Sequence, residues 1–286
     1  MPELPEVEIM VRRLTSALSG CEVASLVVRG MGTLKSFDPP LEALVGRRVA
    51  GVTRRAKLLI VGFSDARGGE GLSLIVHLMS AGRLQVWDSP ASMRDKTLRL
   101  GIRLTGGREL RLREFGTRQA AWAKLVPTAE LALEPMLATS GPEAWPDPPE
   151  LKGLLDDARP LHSILRDQRV LAGIGRSWAD EILHTAGLSP FKRASTLTPE
   201  EAEVLRAAVI ARLGAALEHY EAVVGATVPD KLPMPLTVHG REGTPCPLCG
   251  EDLRAVYFED YVIAYCPRCQ TGGKLLKDRR LSRLVK

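Results

Sequence analysis

Long apolar runs are absent from this sequence of 286 residues. None reaches the roughly 18 residues that a membrane-spanning helix needs, so we expect a soluble, intracellular protein that has no membrane partner. A secretory signal is also absent, and the cysteines number only five, which argues against an extracellular disulfide scaffold. Hydrophobic residues make up 45% of the chain. This content excludes a disordered protein and, at this length, predicts two folded domains.

Positive charge is in modest excess, with a net charge of +5 and a pI near 9.0. Such an excess favours a polyanionic partner, and nucleic acid is the first candidate. The charge is concentrated in residues 272–286, where Asp278 is the only acid. This basic tail is either a solvated terminus or a segment that contacts phosphate. Its cations are Lys274, Lys277, Arg279, Arg280, Arg283 and Lys286.

Four cysteines lie near the C-terminus as two C-x2-C pairs, which sixteen residues separate. Thiolates at this spacing close a tetrahedral site for one structural Zn²⁺. The intervening residues predict a hairpin of strands 253–258 and 261–265 that turns at Glu259 and Asp260. The segment is too short for a core of its own, so we expect the metal to hold it together. Two disulfides are the alternative, which the missing secretory signal disfavours. The predicted ligands are Cys246, Cys249, Cys266 and Cys269.

The first half of the chain predicts one helix followed by many short strands. Apolar residues recur every three or four positions from Val7 to Leu18, which indicates a helix over 5–19. Beyond it, short apolar segments alternate with glycine-containing turns, a pattern typical of a β-sandwich or barrel. The predicted strands span 48–53, 58–63, 72–78, 83–87, 98–104, 109–112 and 120–126.

The second half predicts helices after a proline-rich linker at 141–149. Helices are predicted over 161–168, 176–186 and 198–224. Thr198 and Glu201 form a capping box at the start of the last one. Residues 170–175 predict a glycine-containing turn, and residues 225–239 predict a loop.

Two short segments carry residues suited to chemistry or anion binding. Gly173 and Gly175 lead directly into a helix, whose N-terminal N–H groups can bind a DNA phosphate, although a bare Gly-x-Gly is also typical of an ordinary turn. At the N-terminus, removal of Met1 leaves Pro2 as a secondary amine, which can attack an aldehyde carbon and form an iminium. Glu3 beside it can transfer protons. A proline-rich helix start is the alternative for this segment.

Five motifs occur together in one order: MPELPEVE at 1–8, RRAK at 54–57, GIG-x-x-x-ADE at 173–181, GREG-x-PC-x-x-CG at 240–250 and YC-x-x-CQ at 265–270. This series resembles the formamidopyrimidine-DNA glycosylase / endonuclease VIII family of base-excision repair enzymes, over nearly the whole chain except the basic tail. The resemblance implies an α+β multidomain protein. Its parts are an N-terminal β-sandwich with an N-terminal helix, a helical domain with a helix–two-turn–helix, and a C-terminal β-hairpin zinc finger. The expected boundaries are 1–126, a linker at 127–150, then 151–239, 240–271 and the tail at 272–286.

The resemblance also implies site residues and a mechanism. Members of the family extrude a damaged nucleotide, cut its glycosidic bond with the N-terminal proline and break the strand by elimination. Pro2 matches the nucleophile, Glu3 the catalytic acid, Glu6 a further active-site acid and Lys57 a strand-borne proton donor that contacts phosphate. The predicted DNA-binding residues are His77, Arg113, Phe115, Gly173, Gly175, Arg176 and Tyr261, and among them Arg113 and Phe115 match residues that fill the gap left by the flipped base.

This sequence departs from the family pattern at several contact positions. Tyr261 replaces an arginine of the zinc hairpin that grips phosphate, and Arg176 replaces an asparagine that binds phosphate. His162 stands where the family has a lysine of lesion recognition. Ser80 replaces a methionine, although Met79 lies beside it. Glu114 replaces the arginine that precedes the position of Phe115.

Two hypotheses of function follow. The first is a bifunctional DNA glycosylase/AP lyase, acting as a monomer on damaged double-stranded DNA in the bacterial cytoplasm or nucleoid, with a lesion range shifted from 8-oxoguanine. The second is a weak or inactive binder of damaged DNA or abasic sites. Retention of Pro2 and Glu3 favours the first, because a pure binder has no use for an amine nucleophile.

Overall fold

The chain is described by a computed structural model that covers residues 1–30, 32–65, 69–92, 94–115, 119–258 and 261–276. The predicted hairpin turn at Glu259 and Asp260 and most of the basic tail lie outside these residues. The chain divides into two compact units. Unit 1 contains Met1–Thr139 and Tyr220–Pro233, and unit 2 contains Ser140–His219 and the chain from Met234 onward.

Unit 1 is a β-sandwich with a helix, as the resemblance implies. Helix α1 (Leu4–Leu18) precedes eight strands, and a short helix α2 (Pro135–Ala138) follows them. The strands are β1 (Val23–Val28), β2 (Arg48–Arg55), β3 (Leu58–Ser64), β4 (Leu72–His77), β5 (Gly82–Trp87), β6 (Leu98–Leu104), β7 (Glu109–Glu114) and β8 (Trp122–Pro127). They form two four-stranded antiparallel sheets, in the orders β1-β6-β7-β5 and β2-β3-β4-β8.

One hydrophobic core joins α1 to the inner faces of both sheets. The helix contributes a single stripe, in which Val7, Met10, Leu14 and Leu18 are buried. Burial of four such side chains stabilises the docked helix by on the order of 8 kcal/mol, as an upper estimate. This packing fixes the position of the N-terminal residues that precede the helix.

The last turn of a long helix also belongs to unit 1. Helix α6 (Pro199–Val223) contributes Tyr220 onward, and the segment that follows it packs Val228 into the sandwich core. Arg12 and Arg13 of α1 form ion pairs with Glu221. The predicted loop after this helix is therefore anchored to unit 1 over residues 226–233.

Unit 2 is helical and ends in a β-hairpin. Its helices before the hairpin are α3 (Leu151–Leu154), α4 (Leu161–Leu165), α5 (Arg176–Thr185) and most of α6. The predicted capping box opens α6, since Glu201 N–H donates to Thr198 Oγ1 and Thr198 N–H donates to Glu201 Oε2. The hairpin consists of β9 (Arg254–Tyr257) and β10 (Val262–Tyr265), and a short helix α7 (Pro267–Thr271) follows it. No helix among the described residues is both long and apolar enough to cross a membrane.

Candidate active site and nucleic-acid interface

The N-terminal segment places two acids next to Pro2. Glu3 is the N-cap of α1, and its side chain accepts the N–H of Glu6, while the Glu6 carboxylate accepts the Glu3 N–H at 2.8 Å. Pro5 lies in the first turn, where its missing N–H costs nothing. Both carboxyl groups are buried, at 3% and 2% exposure. The capping box therefore fixes two buried carboxyl groups within a few residues of the predicted nucleophile.

A tyrosine that the sequence analysis did not identify completes this arrangement. The Tyr220 hydroxyl donates to Glu6 Oε1 at 2.6 Å, and the tyrosine is fully buried. Burial, then the negative charge of Glu6 and the hydrogen bond to it, raise the pKa of Tyr220 well above its ordinary value. The phenol is thus a neutral donor. A separation of 214 residues explains why no local pattern links Tyr220 to Glu6.

Two cations act on the chain terminus, Arg83 from strand β5 and Lys57 from the turn between β2 and β3. Burial is the main cause that lowers the pKa of the Met1 amine, and the charges of Arg83 and Lys57 lower it further, while Glu3 and Glu6 oppose them. This environment favours the neutral form of the Met1 amine. Lys57 was predicted on a strand, but it lies in the two-residue turn between β2 and β3, beside Ala56 at φ +53°. The sequence analysis did not identify Arg83.

His77 lies at the end of β4 as a neutral imidazole. Its Nδ1 accepts the Met79 N–H at 2.9 Å, and its ring stacks on Trp122. Burial, together with the charge of Lys57, lowers the pKa of His77 to about 4. With Nδ1 an acceptor, the proton lies on Nε2, which can donate to a phosphate oxygen. Met79 has φ +50°, so the residue next to the position of the family's methionine adopts the left-handed conformation.

Arg113 and Phe115 lie next to each other at the end of β7. The Arg113 guanidinium lies over the Phe115 ring on one side and near Trp87 on another, with centroid distances of 4.6 and 5.0 Å. It also donates to Asp230 Oδ1 at 3.1 Å and to Gln85 Oε1 at 3.3 Å. Phe115 itself is exposed. The structure brings the two residues together, with Arg113 held against the sheet.

Glu114, the departure between these two residues, points inward. Its Oε1 accepts the N–H groups of Ala120 and Ala121 at 2.8 and 2.9 Å, and the residue is buried. The acid therefore anchors the backbone of Ala120 and Ala121. This role gives the substitution of the family's arginine a structural reason.

The Gly-x-Gly turn in unit 2 is supported by an amide side chain. Gly173 has φ +109°, which favours glycine, and its N–H donates to Gln168 Oε1 at 2.9 Å. Gln168 Nε2 donates to the carbonyls of Arg166 and Ile174, both at 2.8 Å. Gly175 is the N-cap of α5, and Arg176 is its first residue. Helix α4 ends at Leu165, before the predicted residue 168, because Gln168 is used to brace the turn.

Tyr261, directly before strand β10 of the hairpin, lies in an aromatic and cationic cluster. Its ring stacks on Phe258 at 4.5 Å and faces His162 at 6.1 Å. The guanidinium carbons of Arg166 and Arg176 lie 4.6 and 5.1 Å from its centroid. Two arginines from the ends of α4 and α5 thus converge where the family supplies one arginine from the hairpin. The sequence analysis identified Arg176 but not Arg166.

Three side chains of helix α5 contact the hairpin, the segment before it and the cysteine cluster. Asp180 accepts from His239 Nδ1 at 2.7 Å and from the Ala264 N–H at 3.1 Å. Glu181 accepts the N–H groups of residues 237–239 and pairs with Arg212 at 2.7 Å. His184 Nε2 lies 3.2 Å from Cys246 Sγ. His162, which stacks on Tyr261, is buried with Nε2 3.3 Å from Asp180 Oδ1.

The four predicted zinc ligands come together at the base of the hairpin. The sulfurs of Cys246, Cys249, Cys266 and Cys269 all lie within 4.8 Å of one another. Two of their separations are 3.9 and 3.5 Å, close to the ~3.8 Å edge of a tetrahedron with Zn–S bonds of ~2.3 Å. The N–H groups of Leu248 and Cys269 point at sulfur with separations of 3.4 Å. This donor set fits a structural zinc ion, and four thiolates leave no open coordination position.

Comparisons with known proteins agree with the fold and the motifs. The family model of the formamidopyrimidine-DNA glycosylase N-terminal domain matches residues 1–119, and that of the H2TH domain matches residues 141–227. The formamidopyrimidine-DNA glycosylase of Moorella thermoacetica is 36% identical over 271 residues, covering 90% of this chain and 94% of the relative.

Two solved structures resemble the chain along most of its length. The crystal structure of the MutM (Fpg) protein from Thermus thermophilus has a TM-score of 0.79 and 32% identity, covering 96% of this chain and 100% of that one. A structure of MutM in complex with DNA containing carbocyclic 8-oxo-G has a TM-score of 0.80 and 25% identity, covering 94% and 100%. The fold, the ordered motifs and these relatives agree, so the chain belongs to the formamidopyrimidine-DNA glycosylase family.

Proposed function

We propose that the protein is a bifunctional DNA glycosylase/AP lyase that acts on damaged double-stranded DNA. The observation that carries this proposal is the N-terminal arrangement. The capping box holds Glu3 and Glu6 in the turn that follows Pro2, and burial lowers the pKa of the Met1 amine that precedes it, with smaller contributions from Arg83 and Lys57. Relatives named as formamidopyrimidine-DNA glycosylases support the same reaction. Their organisms are bacteria, and we propose action on chromosomal DNA in a bacterial cytoplasm.

Removal of Met1 is the first requirement, because an amide nitrogen has no available lone pair. The Pro2 amine then attacks C1′ of the damaged nucleotide, and the base leaves with the electrons of the glycosidic bond and takes up a proton. Glu3 protonates the ring oxygen as the sugar opens to an iminium. Loss of a C2′ proton then expels the 3′ phosphate. We propose that Lys57 contacts phosphate and donates a proton in these steps.

The remaining predicted DNA-binding residues fall into two groups. One group contacts phosphate, and the other fills the gap that the extruded nucleotide leaves in the base stack. His77 presents Nε2–H as a neutral donor, and Arg176 adds a cation at the start of α5. Phe115 is exposed and supported by the Arg113 guanidinium, so it suits insertion where the extruded nucleotide leaves a gap. Bound zinc would supply no chemistry beyond cross-linking the four thiolates, which fixes the hairpin that carries Tyr261.

Tyr261 supports the proposal that the lesion range is shifted from 8-oxoguanine. A tyrosine ring offers stacking and one neutral hydroxyl where an arginine would offer a charged fork. Arg166 and Arg176 place positive charge at its ring. We therefore propose that a DNA phosphate is still bound here, by guanidinium groups from the ends of α4 and α5 in place of the hairpin arginine of the family. Abasic sites and oxidised pyrimidines are the leading candidate substrates.

A binder of damaged DNA without catalysis is the second candidate, and it uses the same residues without the amine. The two are separated by borohydride reduction of an abasic-site duplex incubated with protein from which Met1 has been removed. The proposal expects a covalent protein–DNA adduct and strand cleavage. The matched control retains Met1 and should give no adduct. Equal trapping with Met1 retained would refute Pro2 as the nucleophile, and tight binding with no adduct in either form would favour the binder.

A further inference from the structure

Both oxygens of the Glu6 carboxylate are occupied by donors. Oε1 accepts the Tyr220 hydroxyl at 2.6 Å, and Oε2 accepts the Glu3 N–H at 2.8 Å. The tyrosine has no exposed surface, so water cannot replace this bond. A short hydrogen-bonded chain therefore runs from the last turn of α6 through Glu6 to the backbone of Glu3, the residue next to the predicted nucleophile.

Two carboxyl groups share this buried site, and like charges in such a place oppose each other's ionisation. Donors that point at a carboxylate favour its ionised form. The Glu6 carboxylate has one donor on each oxygen, and one of these donors is a phenol buried away from water. This pair of donors directs the negative charge to Glu6. Glu3, whose own N–H is one of these donors, is the acidic residue next to the predicted nucleophile in the chain.

We propose that Tyr220 is a positioning residue of the active site, which holds the Glu6 carboxylate ionised and oriented beside Glu3. This inference rests on the proposed function. Other charged groups act on the same site, namely the terminal amine, Lys57 and Arg83. Because these cations remain in every variant described below, they do not account for a change produced by removing one hydroxyl.

The test is Tyr220→Phe, which removes the hydroxyl and keeps the ring. The matched control is Glu221→Gln, which loosens the same turn of α6 by weakening its ion pairs with Arg12 and Arg13 but leaves Glu6 untouched. Single-turnover cleavage of an abasic-site duplex is measured from pH 5 to 9. A hydrogen bond to a charged group is worth about one to two pH units. The acidic limb of the Tyr220→Phe profile should therefore move up by about one to two pH units, and the rate at the acidic end of the profile should fall about ten- to a hundredfold.

A double variant and a measurement of unfolding test the role of Tyr220 further. Tyr220→Phe added to Glu6→Gln should change the profile no further, since the two side chains act as one unit. An unmoved acidic limb, or an equal shift in Glu221→Gln, overturns the inference.

Thermal unfolding tests the inference without catalysis. The stability that Tyr220→Phe loses should be greater at pH 7 than at pH 4, where carboxylates begin to take up protons. A native protein that neither cleaves nor traps DNA refutes the proposed function alone, and a loss of stability independent of pH then refutes the inference.

Discussion

Glu181→Gln, a change of one oxygen to nitrogen, should strongly destabilise unit 2. The carboxylate is buried, and Oε1 accepts the N–H groups of Thr237, Val238 and His239 at 2.8 to 3.0 Å. Oε2 accepts the Thr237 hydroxyl and Arg212 Nη2. A glutamine can keep one oxygen on the three N–H groups, but its amide nitrogen then faces the arginine, and the contact is lost because neither group can accept.

The magnitude follows from what is lost at Oε2. Hydrogen bonds to charged groups contribute ~1.5–3 kcal/mol each, and a buried donor left unsatisfied costs ~1–3 kcal/mol more. Arg212 Nε already has no hydrogen-bond partner among the described residues, so the substitution leaves this guanidinium poorly satisfied. We expect a loss of about 3 kcal/mol in the free energy of unfolding, and at ~4 °C per kcal/mol the midpoint falls by roughly 12 °C.

Zinc release, followed with a chromophoric chelator during thermal unfolding, reports on unit 2 specifically. Glu203→Gln is the matched control, since Glu203 is exposed and forms only a 3.5 Å ion pair with Arg206. Such pairs contribute ~0.3–0.5 kcal/mol, so the control should unfold almost like the native protein. If Glu181→Gln releases zinc at about the native midpoint, the backbone of residues 237–239 does not depend on this carboxylate and the reasoning fails.

The remaining predictions concern the zinc finger. Chelation of zinc, or Cys249→Ser, should unfold the hairpin and weaken DNA binding while the sandwich core stays protected from hydrogen exchange. Cys21→Ser, outside the cysteine cluster, should change neither the hairpin nor DNA binding. Normal DNA binding by metal-free protein would contradict the structural role of zinc. Tyr261→Arg should raise affinity for an abasic-site duplex at low salt and make its salt dependence steeper by up to about 0.9 in the logarithmic slope, one extra phosphate contact. An unchanged slope, together with 8-oxoguanine opposite cytosine as the best native substrate, would contradict the shifted lesion range.

The regular elements were predictable where the signal was local. The amphipathic stripe predicted α1 to within one residue at each end, and the capping box of Thr198 and Glu201 placed the start of α6. Strand β1 was missed, because its residues are mostly half-buried and its pairing with β6 is a distant contact. The short helices α2 and α3 were also missed, since four residues in a proline-rich region carry too little periodicity.

The candidate site was predictable only as far as its motifs reach. Pro2, Glu3 and the cysteines belong to motifs that can be recognised in the sequence, and the structure brings the cysteine sulfurs together. Tyr220 and Arg166 could not be found in this way, because each acts on a residue far away in the chain and neither lies in a motif. The burial of Glu114 could not be predicted either. A charged side chain in a strand is buried only where donors are available to it, and the donors here are the N–H groups of Ala120 and Ala121.

Helix α5 has a consequence for how this family member can vary. Arg176, Asp180 and His184 follow one another at intervals of four residues, so they occupy one side of a helix about 15 Å long. A single inserted or deleted residue in the middle would turn everything beyond it by about 100°. Arg176 at the start of the helix, the contacts of Asp180 with Ala264 and His239, and the contact of His184 with Cys246 would then lose their common alignment. Homologues should therefore tolerate gains and losses of length in the segment after α6 but keep the length of α5 invariant.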